Sequence, residues 1–160
     1  MKLFKTYYSS PIGVMEITGT RERIISVQFV DSSKQPGTDL PAAVAECRLQ
    51  IDDYFRGGRT SFSVKTDLQG TGFQKTVWRQ LEKIPYGRVV SYSDIARDIA
   101  NPNACRAVGN ANHQNPVAII IPCHRVIGKN GDLIGYGGGL WRKKWLLEHE
   151  SAMNPKKSVV

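Results

Sequence analysis

Three short runs open the chain: residues 2–9 (KLFKTYYS), 13–18 (GVMEIT) and 24–30 (IISVQFV). All are rich in β-branched and aromatic residues, as strands require. The linkers SPIG and GTRER leave room only for turns, so the runs form a three-stranded antiparallel sheet. After the loop DSSKQPGTD, the segment LPAAVAECRLQIDDYF places Ala43, Cys47, Ile51, Tyr54 and Phe55 at helical spacing. Gly57 and Gly58 end that helix. Cys47 lies on its apolar stripe and reads as a core residue.

LQGTGFQ marks a junction, dividing the chain into domains at 1–70 and 71–160. Thr71 and Gln74 have capping-box spacing. The helix FQKTVWRQLEKI follows, with Phe73, Val77, Trp78 and Leu81 on its buried face and Pro85-Tyr86-Gly87 as its stop. SYSDIARDIA and ACRAVGNANHQ then form two short helices across the turn NPN. Ser91 can cap the first, and Asn101 or Asn103 the second. The pair suggests a helix-turn-helix. The longest apolar stretch, VAIII at 117–121, fits a core strand. LWRKKWLLEHE is the closing helix, and the tail NPKKSVV is expected to be loose. The fold class is therefore α+β: a three-stranded antiparallel sheet with a helix, then a mostly α domain containing a helix-turn-helix.

The net charge is +8 and uneven. Residues 1–70 hold nine Lys/Arg against eight Asp/Glu; residues 71–160 hold thirteen against six. A basic second half suits a polyanionic partner, nucleic acid first, although solubility alone would also account for it. No apolar run is long enough for a signal peptide or a membrane span. The three cysteines, without a secretory signal, read as reduced thiols in an intracellular protein. The second helix of the pair, CRAVGNAN, offers Ala107, Gly109, Ala111 and Asn112 where a base-reading helix usually carries long polar side chains. Small residues there suit either close approach to a minor groove or packing against another helix. Arg106 is the one long cation on that helix, and a planar guanidinium can fill the gap left by an extruded base. Cys105 beside it reads as packing.

A cysteine and a histidine emerge together from the apolar run in IPCHRV, just ahead of the glycine-rich GKNGDLIGYGGG. With SYSDIA, CRAVGNANHQNP, FQKTVWRQLEKIPYG upstream and LLEHE at the close, the whole set resembles the O6-alkylguanine-DNA alkyltransferases. The likeness is strong over roughly 72–150 and rests on length and pattern in the N-terminal part, which it casts as a ribonuclease-H-like supporting domain. The resemblance implies that Cys123 accepts the alkyl group irreversibly, one group per molecule. It makes His124 a base acting through a water, Glu150 the group that holds the imidazole, and Asn115 the organiser of the surrounding hydrogen bonds. It assigns Tyr136, Val126, Gly137 and Gly138 to the guanine pocket. Tyr92 would rotate the nucleotide out, Arg106 would replace it, and the small residues of the helix would face DNA. The partner implied is duplex DNA carrying O6-alkylguanine, possibly also O4-alkylthymine, met by a monomer that can cluster on DNA.

The residues support part of this independently. A free cysteine has a pKa of about 8.5, so a base or positive surroundings must raise its thiolate fraction. Neighbouring side chains in an extended segment point to opposite faces, which favours a water between Cys123 and His124. On a helical wheel Glu150 falls between Leu146 and Leu147, whereas Glu148 sits beside Lys144 on the solvated side. The wheel alone leaves both open as the partner of His124; the family motif chooses Glu150. Where some relatives have serine after the loop tyrosine, this chain has Gly137, so bulkier adducts are expected to fit. The N-terminal half has Cys47 and no histidine, so no zinc is expected, and the reaction needs no cofactor. Rival readings are a damage-flagging binder without chemistry, a helix-turn-helix regulator and a cysteine hydrolase.

Overall fold

The computed structural model describes residues 1–153, and the tail 154–160 lies outside the described residues. Its backbone divides into two compact units: Met1–Gln69 with Pro116–Ala118, and Gly70–Asn115 with Ile119 onward.

The first unit is an antiparallel meander, β1 (Phe4–Ser10), β2 (Gly13–Gly19) and β3 (Ile24–Val30), in spatial order β1-β2-β3. Tyr8 pairs with Met15 and Ile17 with Val27 across it. Helix α1 (Ala42–Phe55) packs on the sheet and buries Val44, Cys47, Ile51, Tyr54 and Phe55. Val44, rather than Ala43, completes the stripe; Ala43 is half-buried one position to the side. Gly57, at φ 82°, ends α1: its N–H bonds Tyr54 O and that of Gly58 bonds Asp53 O, closing the last turn. The outer edge of β3 is covered by chain from elsewhere, Ile24 exchanging hydrogen bonds with Lys65 and Asp67, and Val27 with Pro116 and Ala118. An edge so occupied cannot template aggregation.

That last pairing corrects one expectation. VAIII is not a strand: Val117 makes one bridge to Val27, and Ile119 turns at φ 72°. The run is apolar because Ile119 within the turn, and Val117 and Ile121 on either side of it, are buried, not because it extends through a sheet.

The second unit begins with α2 (Gly72–Leu81), capped as expected: Gln74 N–H donates to Thr71 Oγ1, and Thr71 N–H donates to Gln74 Oε1. Val77, Trp78 and Leu81 are buried, while Phe73 is only half-buried. Strand β4 (Val90–Ser91) leads into α3 (Tyr92–Asp98), where Ser91 and Asp94 form a second capping box. The turn passes through Ala100 in the left-handed region and enters α4 (Cys105–His113) at Ala104, with no side-chain cap. Asn101 and Asn103 do not cap α4; the Asn101 backbone instead closes the end of α3 on Ala96 O. Trp78 donates its indole N–H to Ala111 O at 2.8 Å and so ties α2 to α4. A 3₁₀ turn (Cys123–Arg125) precedes β5 (Val126–Ile127), which pairs in parallel with β4, and α5 (Leu140–Met153) closes the unit. Among the described residues no helix is long and apolar enough to cross a membrane.

Candidate active site

Cys123, His124 and Arg125 occupy the 3₁₀ turn, not an extended segment, and all three are buried. Asn115 donates to Ile121 O at 2.8 Å, which shapes the approach to the turn. Asn112 donates to Cys123 O at 3.3 Å. Glu150, from the inner face of α5, meets the turn from the other side. Its two carboxylate oxygens take four contacts: His124 Nε2 at 2.6 Å, Arg125 Nε at 2.8 Å, Arg125 Nη2 at 3.0 Å and Gly87 N–H at 3.2 Å. Arg125 also donates to Ile84 O at 2.8 Å and lies over the Tyr86 ring. Glu148, by contrast, pairs with Lys144 at 3.9 Å in solvent.

The electrostatics follow from this enclosure. Burial opposes charge on Glu150, but His124 and Arg125 outweigh it and hold the carboxyl well below the usual range. Burial pushes the imidazole of His124 down, against the pull of Glu150, so it is neutral at physiological pH. With Nε2 committed to Glu150, Nδ1 is buried without a hydrogen-bond partner among the described residues. Burial raises the Cys123 thiol; an Asn115 hydrogen bond, the Lys143 charge and nearby backbone N–H groups pull it back. Tyr136 is buried beside this centre, and its hydroxyl likewise has no partner among the described residues. An unsatisfied buried donor costs about 1–3 kcal/mol and is kept where a ligand supplies the acceptor.

Five anticipated residues therefore come together: Cys123, His124, Glu150, Asn115 and Tyr136. Val126 is buried in β5 directly after the turn. Gly137 is exposed and Gly138 half-buried on the loop between β5 and α5, whose flanking Gly135 and Gly139 adopt φ 59° and 98°. Tyr92 starts α3 and donates to Ile134 O of that loop at 2.9 Å. On α4, Arg106 and Ala107 are exposed, and Gly109 faces the Tyr92 ring, where a Cβ would stand 3.8 Å away. Ala111 and Asn112 do not share this surface. Each is 2% exposed, because the helical period turns them inward with Val108. Asn112 is thus a support of the Cys123 backbone, not a residue of the outward face.

Two buried cations were missed in the sequence. Arg125 stands in the PCHRV block itself, and an arginine inside an apolar run signals a buried partner. Lys143 lies seven residues before Glu150, two helical turns along the same face. Among the described residues no cluster could hold a metal ion.

A helix-turn-helix and an enclosed histidine–carboxylate pair beside a buried cysteine, within one unit, fit a DNA-directed protein with a thiol centre. Comparison with known proteins narrows the class. The family model "6-O-methylguanine DNA methyltransferase, DNA binding domain" matches residues 72–152, and its "ribonuclease-like domain" matches residues 3–68. A methylated-DNA–protein-cysteine methyltransferase of Mycobacterium leprae is 50% identical over 145 residues, 88% of each chain. One from Methanosarcina acetivorans is 43% identical over 157 residues, 94% of this chain and 99% of the relative. The crystal structure of Mycobacterium tuberculosis O6-methylguanine methyltransferase superimposes with a TM-score of 0.86 at 43% identity, covering 96% of both chains. The same organism's protein in complex with DNA gives 0.85 at 42% identity, covering 97% of both. The chain belongs to the 6-O-methylguanine DNA methyltransferase family.

Proposed function

We propose that this protein repairs duplex DNA by moving the alkyl group of an O6-alkylguanine onto Cys123, once per molecule. The observation that carries this is the buried chain from Glu150 through His124 Nε2, which leaves Nδ1 as an unoccupied proton acceptor beside a buried thiol. The thiol proton passes to Nδ1 through a bridging water. The thiolate attacks the alkyl carbon, an S–C bond forms as the C–O6 bond breaks, and the electron pair stays on the guanine. The Tyr136 hydroxyl is the donor that meets this developing charge. Asn115 steadies the thiolate, while Val126, Gly137 and Gly138 border the base. The thioether has no route back, so turnover ends there.

Reaching the base requires extruding it from the stack. Tyr92 directs the nucleotide toward the loop and Arg106 fills the gap, while Ala107 and Gly109 permit close approach to the minor groove. Residues 71–160 thus bind DNA and accept the group, and residues 1–70 support them. The protein acts as a monomer that can cluster along DNA. Binding depends weakly on sequence and strongly on salt.

Incubation with a duplex bearing one O6-methylguanine, followed by intact mass and peptide mapping, tests the reading. One methyl group on Cys123, saturating at one per molecule, is expected. Lesion-selective binding without a mass change would replace it with the damage-flagging role; repeated turnover of an ester would replace it with hydrolysis.

A further inference from the structure

Lys143 is fully buried, the one lysine so placed among the described residues. Among the described residues no carboxylate pairs with it. Its ammonium instead donates to Ile134 O at 2.7 Å, Gly135 O at 3.3 Å and Tyr92 Oη at 3.5 Å, and lies over the Tyr92 ring. Tyr92 in turn donates to the same Ile134 carbonyl. A desolvated ammonium is expensive unless hydrogen-bond acceptors compensate it. Here three acceptors from two segments converge on it, and its charge bears on the thiol of Cys123.

We propose that Lys143 is a positioning residue of the acceptor site: its ammonium pins the Ile134–Gly135 backbone and Tyr92 to α5, holding the Tyr136 loop in place, and supplies the positive charge that favours the Cys123 thiolate. The proposal rests on Cys123 being the alkyl acceptor. The groups that titrate within its reach are Cys123 and His124 on the 3₁₀ turn and Tyr92 on α3; Glu150, further along α5, is committed to His124 and Arg125. Burial brings the ammonium down to about 8, so the clamp is charged at neutral pH and discharged in mild alkali.

Lys143→Met and Lys143→Arg test this in the full chain. Single-turnover methyl transfer would be measured from pH 6 to 9.5, and lesion-duplex affinity in a Cys123→Ser background. For the wild type, a rate that rises with thiolate and then falls above about pH 8 is expected. In Lys143→Met the rate at pH 7 should drop about tenfold or more, one unit of thiol pKa being worth that factor, and the falling limb should vanish. Lys143→Arg should restore most of the rate, and amide exchange of residues 133–139 should quicken in Met but not in Arg. An unchanged rate and pH profile in Lys143→Met would overturn the proposal, as would a failure of Arg to rescue in a folded protein. Iodoacetamide labelling of Cys123 without DNA, followed across the same pH range, separates this from the transfer reading. It should slow in Lys143→Met even if no alkyl transfer exists, and equal labelling would sink the charge role on its own.

Discussion

Glu150→Gln is the most informative perturbation of the buried centre. Four donors meet the carboxylate among the described contacts: His124 Nε2 and Arg125 Nη2 on Oε2, Arg125 Nε and Gly87 N–H on Oε1. A glutamine amide must point its NH₂ at two of them, whichever way it turns. The change also leaves the Arg125 guanidinium, 7% exposed, without a counter-charge. Breaking one side of a buried pair costs about 3–5 kcal/mol. Glu148→Gln is the control on the same helix: it removes a pair 67% and 59% exposed, worth about 0–1 kcal/mol. At a urea slope of about 1–3 kcal/mol/M, the first change moves the midpoint by roughly 1–5 M and the second by about 1 M at most. Tryptophan fluorescence is the natural reporter, because Trp78, Trp141 and Trp145 all lie in the second unit. Methyl transfer should fall in parallel. If the two variants unfold within 1 kcal/mol of each other, by the difference measured at equal pH, the buried-pair reasoning is wrong.

Arg106→Ala should weaken repair in duplex more than in single strands, where there is no gap to fill; equal loss in both would remove the finger role. Gly137 carries no side chain at the exposed rim of the loop, so O6-benzylguanine should react as well as O6-methylguanine, and total failure with the benzyl adduct would count against a roomy pocket. His124 and Glu150 both have depressed folded pKa values, so the unfolded chain takes up more protons than the folded one as pH falls. Their stabilisation is therefore complete above about 6.5 and lost progressively in acid. Urea midpoints at pH 7, 6 and 5 should decline, and a flat series would show that the imidazole is not held neutral.

What could be read from the sequence divides along physical lines. The β meander, the Thr71–Gln74 capping box, the Ser91 cap and the glycine stop of α1 are local, set by residues a few positions apart, and they stand where the patterns put them, whereas α2 ends at Leu81, ahead of the Pro85 stop. The capping of α4 was misjudged because a nearby asparagine is a permissive signal, and here the Asn101 backbone serves the preceding helix instead. VAIII was misread because five apolar residues in a row report burial and not extension. Ala111 and Asn112 illustrate a subtler limit: small residues fit a DNA surface and a helix interface equally well, and the face they occupy is decided by Val108 and Trp78, the latter 33 residues away. Arg125 and Lys143 escaped for the opposite reason. Cations are read as surface by default, and their burial is made tolerable by Glu150 and the Ile84 carbonyl for Arg125, and by the Ile134 and Gly135 carbonyls for Lys143.

The carboxylate that completes the centre arrives late. Arg125 and His124 precede Glu150 by 25 and 26 residues, and Gly87, which shares its oxygen, precedes it by 63. During synthesis the thiol and the imidazole leave the ribosome well before the residue that orients them. A nascent chain holding Cys123 but not yet α5 has an unpaired guanidinium in what must become its interior, and that charge opposes closure. Premature assembly is thereby disfavoured, and the buried centre closes only after the chain has been made through α5.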